Sequence, residues 1–358
     1  MRVLLSGYYG FNNLGDEALL EVIVAQLRAR FPRATLDVLS ATPPETSARL
    51  GIEATPRWSA GAVRAAIDRA DVVLSGGGGL LQSATSLRSL VYYAGVLREA
   101  ANRKRKTMIF AQSIGPLDAL GKFVVKSFCR RVDRATVRDG RSRELLHALV
   151  PGVPVEQTAD PVFLYDLPVD DYDLSREGLG DTPYAVVSVR KVNAFKEGLH
   201  TIAAAVDRLS GTHGVRVAFL PMAGASDAEV STDVIRQCKS APMLLPECTL
   251  ERAAAILRGA HVVIGMRLHA LILAARFAVP FLAIPYDPKV QSLCDDLQYP
   301  LDPLWIPGKG APSNVRVDAL VDRLVTERGA LSAELQGRIQ GIRASAARNF
   351  EVLGELLD

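Results

Sequence analysis

Short apolar runs alternate with amphipathic stretches along most of the chain. The runs have the length of buried strands, and the stretches between them repeat apolar side chains every three or four residues, as helices packed on one face do. We predict strands at residues 2–6, 36–39, 71–75, 106–112, 135–139, 184–190, 215–221, 262–264 and 281–284. Helices between successive strands indicate βαβ units and parallel sheets, an α/β fold.

The pattern divides into two α/β halves of similar size. A polar, proline-bearing stretch from 164 to 183 separates them and is typical of a linker. We predict an N-terminal Rossmann-like domain at 1–168, a C-terminal one at 180–330, and a helix at 331–358 that packs back on the first domain. Candidate sites at strand ends in both halves favour two domains that face each other across a cleft.

The stretch from His261 to Lys289 is typical of a strand, a tight turn at Gly265, a helix and a second strand. Arg267 and His269 fall at the turn into the helix, and Lys289 follows the next strand. The carboxyl ends of parallel strands and a helix N-terminus form an anion-binding edge, so we expect the three side chains to bind an anion there. Taken one at a time, each residue also has a purely structural interpretation: Arg267 could form an ion pair, His269 could be a packed residue, and Lys289 could lie in solvent.

Two glycine-rich loops follow strands of the first half. Gly7, Gly10 and Gly15 follow residues 2–6 without spelling GxGxxG, and no Walker A lysine follows them. Asp16, at the start of the next helix, is either an N-cap or a catalytic base. Gly76, Gly77, Gly78 and Gly79 follow residues 71–75, and four glycines favour close approach to a ligand or to the facing domain.

Basic residues occur at two further places in the first half. Arg138 ends a short predicted strand, where it could hold a carboxylate or phosphate bidentately or form a local ion pair with Asp139. A helix predicted at about 120–134 carries a stripe spaced by four residues: Lys122, Lys126, Arg130 and Arg134. Such a stripe is usually a solvated face, and the alternative is contact with an anionic membrane surface.

Composition narrows the class of protein. The chain has 358 residues, 49% hydrophobic and 23% charged, as expected for a globular enzyme of two domains. A net charge of +3, without a zinc-finger or RNA-binding signature, gives no reason to expect a nucleic-acid partner. Four scattered cysteines predict free thiols and no metal site. No signal peptide or membrane-spanning run is found, so we expect a cytoplasmic protein, with peripheral contact at the inner face of the membrane as an option.

Seven sequence blocks, taken together and in order, resemble the polysaccharide pyruvyl transferase family, and most closely its bacterial cell-wall branch. The most specific are the last two; the blocks are GYYGFNNLGDEALL, DVVLSGGGGLLQ, FAQSIGPL, TVRD, TADPVF, GMRLHALILAA and YDPKV. The resemblance implies a fold like the GT-B glycosyltransferases, phosphoenolpyruvate as donor, phosphate as leaving product, and no cofactor or metal ion. It implies as acceptor N-acetylmannosamine in a lipid-linked polymer that anchors the surface layer.

The resemblance also implies roles for particular residues. The family's functional positions fall on Asp16, Arg138, His269 and Lys289, with Arg267 beside them. We predict that His269 protonates the enol methylene, that Asp16 is the base, and that the arginines and Lys289 bind phosphoenolpyruvate. Two alternatives stay open: a GT-B glycosyltransferase or epimerase that uses a nucleotide sugar, and a non-catalytic binder of an anionic sugar.

Overall fold

The computed structural model describes residues 1–166, 172–180, 182–192 and 195–358, so part of the predicted linker lies outside the described residues. The chain forms two compact units. The N-terminal unit comprises Met1–Leu164 and Ile342–Asp358, and the C-terminal unit comprises Tyr165–Gly341. The first unit ends at Leu164, near the predicted boundary at 168. The chain returns to this unit at Ile342, whereas the predicted C-terminal helix begins at 331.

The N-terminal unit is built on a parallel sheet with the strand order β3-β2-β1-β4-β5-β6-β7. Its strands are β1 (Arg2–Ser6), β2 (Thr35–Ser40), β3 (Glu53–Pro56), β4 (Val72–Gly76), β5 (Lys106–Gln112), β6 (Arg134–Val137) and β7 (Val155–Gln157). Its helices up to Leu164 are α1 (Leu14–Arg30), α2 (Pro43–Leu50), α3 (Ala60–Arg69), α4 (Leu87–Asn102), α5 (Ala119–Phe128) and α6 (Gly140–Leu149), followed by a 3₁₀ turn (Pro161–Leu164).

The strand order shows where the N-terminal sheet has its switch point, which is the first candidate site. Strand β1 pairs with β2 on one side and with β4 on the other. The chain therefore leaves β1 and β4 in opposite directions, and the loops after these two strands flank the switch point of the sheet, where open α/β sheets bind ligands. Those loops are the two glycine-rich segments that the sequence singled out.

The C-terminal unit contains a second parallel sheet with the order β10-β9-β8-β11-β12. Its strands are β8 (Tyr184–Ser188), β9 (Arg216–Phe219), β10 (Met243–Leu244), β11 (Val262–Gly265) and β12 (Phe281–Ala283). A 3₁₀ turn (Leu174–Glu177) precedes them, and the helices are α7 (Phe195–His213), α8 (Gly224–Ile235), α9 (Leu250–Gly259), α10 (Leu268–Arg276), α11 (Pro288–Asp296), α12 (Asn314–Thr326) and α13 (Arg328–Leu357). The switch point lies between β8 and β11.

The predicted apolar face of α10 is buried, as its periodicity requires: Leu268, Leu271, Ile272 and Ala275. Strands β8 and β11 are buried along their whole length, which explains why they appear as continuous apolar runs without polar alternation. The parallel α/β class is confirmed in both units.

The last part of α13 packs within the N-terminal unit. The Phe350 ring meets the Phe110 ring of β5 with centroids 5.0 Å apart. Buried Asn349 accepts a hydrogen bond from the Thr158 hydroxyl (2.7 Å) and donates to the Ala159 carbonyl (2.9 Å). Specific polar bonds as well as apolar contacts therefore fix this segment.

One sequence prediction is wrong in detail. Helix α5 ends at Phe128, so Arg130 lies in a turn and Arg134 begins β6, and the four basic residues do not form one helical stripe. Separately, Pro43-Pro44 begins helix α2. Proline suits the first turn of a helix because the N–H that it lacks has no intrahelical acceptor there. In the described part of the chain, no helix has both the length and the apolar character to cross a membrane.

Candidate active site

Strand β11 and helix α10 place two of the predicted residues at the switch point of the C-terminal sheet. Arg267 is the N-cap residue of α10, and His269 is the second residue of the helix. A Cβ at Gly265 would lie 2.7 Å from a methyl carbon of Leu271, so glycine lets the helix start directly against the end of the strand. His269 is partly buried and stands in the first turn, where backbone N–H groups and the helix dipole favour an anion.

Lys289 occupies the matching place after β12. Asp287 caps α11 by accepting from the Lys289 backbone N–H at 3.1 Å, and its other oxygen lies 3.4 Å from the Lys289 ammonium. The ammonium is also 5.9 Å from the centre of the Tyr286 ring. The short cap thus holds the lysine near the carboxyl edge of the sheet without burying it.

Arg190 is a further cation at this edge, which the sequence analysis did not single out. It follows β8 by two residues, donates from Nη1 to the Tyr286 hydroxyl at 2.8 Å, and stacks its guanidinium 4.7 Å from the centre of that ring. Its Nε is buried and has no hydrogen-bond partner among the described residues. Arg190 and Lys289 therefore share one aromatic ring.

Arg267 is engaged by a buried carboxylate. Its Nε donates to Asp227 at 2.8 Å and its Nη2 donates to the other Asp227 oxygen. Asp227 is fully buried and also accepts from the backbone N–H groups of Met222 and Ala223. Arg267 thus fixes the loop between β9 and α8, in agreement with the ion-pair alternative, while its role toward a substrate stays a prediction.

Helix α1 starts at the switch point of the N-terminal sheet and carries Asp16 in its first turn. The N-cap is Asn13, whose side chain accepts from the Gly15 N–H at 3.1 Å, so the N-cap alternative for Asp16 is wrong. An added Cβ at Gly78 would lie 3.1 Å from a carboxylate oxygen of Asp16. The partly buried Asp16 side chain therefore lies against the glycine run that follows β4.

Contacts within the unit account for much of the glycine content of these loops. Gly77 and Gly78 have positive φ angles of 68° and 75°, and a Cβ at Gly77 would press on Leu19 of α1. A Cβ at Gly7 would overlap the ring of buried Tyr9, whose hydroxyl donates to the Gly76 carbonyl at 2.6 Å. Burial raises the pKa of the Tyr9 phenol well above its ordinary value, so it remains a donor.

The other glycines of the two loops differ in their surroundings. Gly10 has a φ of 78° and a Cβ there would meet Ser40. Gly15 is buried in the first turn of α1, and Gly79 leaves a Cβ no neighbour nearer than 4.0 Å. The expectation that these loops lie against a ligand therefore stays a prediction, because packing alone explains several of the glycines.

Arg138 lies at the carboxyl end of β6 and is buried. Its Nε donates to the Ser113 hydroxyl at 2.7 Å and its Nη1 donates to buried Asp160. Asp139 does not pair with it directly: Asp139 accepts from the Ser113 hydroxyl at 2.9 Å and caps α6 through the Ser142 N–H. The alternative of a local ion pair with Asp139 is therefore wrong, and Arg138 is paired with a residue 22 positions further along the chain, while its role toward a substrate stays a prediction.

The structure thus groups the predicted residues by unit. The C-terminal unit holds Arg267, His269 and Lys289 at the ends of β11 and β12, and the N-terminal unit holds Asp16 and Arg138 after β1 and β6. Among the described residues, no group of three or more His, Cys, Asp or Glu side chains could hold a metal ion. The predicted residues themselves provide cations, a histidine and a carboxylate.

Solved structures with the same architecture define the class of fold. UDP-GlcNAc 2-epimerase from Methanocaldococcus jannaschii aligns with a TM-score of 0.65 at 12% identity, covering 99% of this chain and 100% of that chain. The Neisseria meningitidis UDP-GlcNAc 2-epimerase gives 0.62 at 11%, covering 100% and 99%. A UDP-glucosyltransferase from Polygonum tinctorium gives 0.59 at 11%, covering 99% and 98%. The fold is GT-B-like, which confirms the expected class.

The sequence decides the family within that class. Residues 13–288 match the polysaccharide pyruvyl transferase family model, which covers most of the chain. The chain therefore belongs to the polysaccharide pyruvyl transferase family, and the resemblance seen in its motifs is confirmed. A comparison with curated proteins gives no significant match.

Proposed function

We propose that this protein transfers the pyruvate unit of phosphoenolpyruvate to a sugar, forming a cyclic ketal and releasing phosphate. Family membership supports a pyruvyl transferase. The observation that carries the choice of donor is the cationic edge of the C-terminal sheet, where Arg190, His269 and Lys289 follow β8, β11 and β12. Phosphoenolpyruvate carries a carboxylate and a phosphate, and such an edge suits a small compound with two anionic groups.

The cationic side chains differ in how far a neighbouring carboxylate already neutralises their charge. Arg138 and Arg267 are each paired with a buried carboxylate, which offsets most of their charge. Arg190 donates to the Tyr286 hydroxyl, and the ion pair of Lys289, at 3.4 Å, is with the partly exposed carboxylate of Asp287, where solvent screens it. We therefore assign direct donor binding first to Arg190 and Lys289. We also propose that Arg138 and Arg267 bind phosphoenolpyruvate, and that they in addition hold the loops around the site in position.

The proposed reaction needs one acid and one base. His269 donates a proton to the methylene carbon of phosphoenolpyruvate, which makes C2 electrophilic, and histidine suits this step near neutral pH. One sugar hydroxyl adds to C2, and a second hydroxyl then displaces phosphate from the same carbon. Of the two hydroxyl protons released, one replaces the proton taken from His269 and the other leaves with phosphate. Asp16 is proposed as the base for the acceptor.

The proposed acceptor is N-acetylmannosamine of a lipid-linked cell-wall polysaccharide precursor, a polymer that anchors the surface layer. The support is the likeness of the sequence blocks to the cell-wall branch of the family. Such an acceptor would be met at the cytoplasmic face of a membrane.

Helix α5 is our proposed membrane contact. It exposes Leu120 and Phe123 beside Lys122 and Lys126, so a basic and an apolar group meet on its solvent side. Wild-type protein should then co-sediment with vesicles that contain phosphatidylglycerol, and Phe123→Glu should lose this binding while Leu244→Glu, an exposed apolar site elsewhere, keeps it. Equal sedimentation of both variants would contradict the contact.

The function is tested by ligand preference and by turnover. Phosphoenolpyruvate should raise the melting temperature, and phosphate should be released only when an acceptor glycoside is present. Stabilisation by uridine diphosphate in place of phosphoenolpyruvate would favour a nucleotide-sugar enzyme. Stabilisation by phosphoenolpyruvate without phosphate release on any N-acetylhexosamine acceptor would favour a non-catalytic binder.

A further inference from the structure

A pocket of about 800 Å³ opens in the N-terminal unit between the loop after β1, the segment after β3 and helix α4. Its lining includes four aromatic side chains that form what we call the aromatic wall: Tyr8, Phe11, Trp58 and Tyr92. The rings of Tyr8 and Phe11 stack with centroids 4.1 Å apart, and Trp58 follows at 6.1 Å from Phe11 and 6.5 Å from Tyr92. The four rings therefore form one continuous aromatic surface.

This surface is left open to solvent in the unit that carries it. The Trp58 side chain is 68% exposed and Tyr8 is 38% exposed. Large exposed aromatic rings lose the stabilisation that burial would give, and a contiguous patch of them is typical of a binding site.

A buried arginine holds the aromatic wall in place. Arg57 is only 4% exposed, and its guanidinium carbon lies 4.6 to 5.3 Å from the ring centres of Phe11, Trp58, Tyr92 and Tyr93. It donates from Nη1 to the Gly7 carbonyl at 2.8 Å and from Nη2 to the Tyr93 hydroxyl at 3.0 Å. The guanidinium thus ties the loop after β1 to helix α4, and the rings are ordered before any ligand arrives.

We propose that this aromatic pocket binds the pyranose ring of the acceptor sugar, an inference that rests on the proposed function. One face of a pyranose presents C–H groups that pack on aromatic rings, while its hydroxyls require polar partners. The rim of the pocket supplies such partners in Arg64, Arg88 and Glu99. An alkyl chain of the lipid would instead strip water from these charged groups without giving them hydrogen bonds, which costs free energy.

The position of the pocket also suits an acceptor. Tyr8 and Phe11 belong to the loop that leads directly into α1, which carries the proposed base Asp16 in its first turn. Burial and then the charge of Asp16 raise the pKa of the Tyr8 phenol, so the carboxylate is within electrostatic reach of the aromatic wall. A sugar stacked there would lie next to the loop that leads to this base.

Kinetics with a soluble acceptor test the pocket. With the methyl glycoside of N-acetylmannosamine as acceptor, Trp58→Ala and Phe11→Ala should raise the acceptor KM at least about tenfold and leave the KM for phosphoenolpyruvate unchanged. The control is Val315→Ala, which shortens an exposed apolar side chain outside the pocket. An unchanged acceptor KM in both pocket variants would overturn the proposal.

Tryptophan fluorescence provides a readout that needs no turnover. The chain has two tryptophans, exposed Trp58 and buried Trp305. The methyl glycoside should protect Trp58 from quenching by acrylamide, and the Trp58→Phe variant, in which only Trp305 emits, should show no protection. Protection by uridine diphosphate or by undecyl phosphate, but not by the glycoside, would overturn the proposal.

Different results would contradict the proposed pyruvyl transfer and the proposed acceptor pocket. Protection of Trp58 by the glycoside without any phosphate release would support the pocket and contradict the pyruvyl transfer. Phosphate release and product formation with a normal acceptor KM in Trp58→Ala and Phe11→Ala would support the transfer and contradict the pocket. Equal melting temperatures of the wild type and the two pocket variants would show that a change in acceptor KM does not come from loss of the fold.

Discussion

Arg190 and Lys289 share the ring of Tyr286, and this pair of cations is where we expect the donor's charge to be bound. Arg190→Met removes the charge and keeps much of the apolar stem, so it should raise the KM for phosphoenolpyruvate by about tenfold or more. Arg190→Lys should recover part of the loss. The control is Arg236→Met, an exposed arginine of the same unit. An unchanged KM in Arg190→Met would remove this residue from the site.

His269 is expected to act in the chemical step. His269→Gln keeps a polar side chain in the first turn of α10 but cannot donate a proton of suitable pKa, so kcat should fall about 10²- to 10⁴-fold. The melting temperature and the binding of phosphoenolpyruvate should change little. His200→Gln, at an exposed histidine, is the matched control. Wild-type turnover in His269→Gln would show that another group is the acid.

Arg190 shows how far individual site residues could be predicted from the sequence. It is the last residue of a predicted strand, the same signal that drew attention to Arg138, and applying that signal evenly would have found it. The partners of Arg138 and Arg267 are a different matter. Asp160 and Asp227 are 22 and 40 residues away, so only the folded chain shows that these two arginines are neutralised by buried carboxylates.

Helices α7 and α12 are joined by a polar cluster that should respond to pH. Asp322 accepts two hydrogen bonds from Arg208, at 2.8 and 2.7 Å, and lies 2.8 Å from the His213 ring. The hydrogen bonds from Arg208, followed by those from His213, lower the pKa of Asp322 to about 2. A carboxyl whose pKa is lowered by folding contributes stability above its unfolded pKa, and that contribution disappears as pH falls through the folded pKa.

Asp322→Asn should therefore destabilise the protein at pH 7 and cease to matter in acid. Because the Asp322 side chain is 36% exposed, solvent screening limits the expected loss to about 1 kcal/mol. The difference in the free energy of unfolding between variant and wild type should shrink between about pH 4 and pH 2. Urea unfolding midpoints at several pH values measure it, with Asp233→Asn as the exposed control. A constant difference across that range would contradict the assignment.

At the level of elements, continuous apolar runs located most strands, because parallel strands are buried on both faces. The spacing of side chains was less reliable for the ends of helices. The basic residues spaced by four continue past Phe128 although the helix does not, since Arg134 is needed in β6, where it pairs with Met108 of β5. Pairing with a neighbouring strand overrides the local pattern there, and no glycine or proline near Phe128 marks the stop.

At the scale of the whole molecule, fold and family carry different information. The GT-B-like fold is shared with epimerases and a glucosyltransferase at 11–12% identity, so the fold alone does not choose a reaction. The family match and the ordered sequence blocks do choose a pyruvyl transferase. Of the aromatic pocket proposed for the acceptor sugar, Tyr8 and Phe11 lie in the first sequence block, whereas Trp58 and Tyr92 lie outside the blocks, so only the folded chain brings the four rings together.

The most direct test of pyruvyl transfer is to run the reaction in deuterium oxide with phosphoenolpyruvate and the methyl glycoside of N-acetylmannosamine. The enol methylene already carries two hydrogens, so the proposed protonation should place one solvent deuteron in the methyl group of the product. Nuclear magnetic resonance of the product should show a pyruvate ketal with a singly deuterated methyl group, together with free phosphate. A product whose methyl group contains no deuterium, or phosphoenolpyruvate left intact in the presence of the acceptor, would contradict the transfer proposed for this protein.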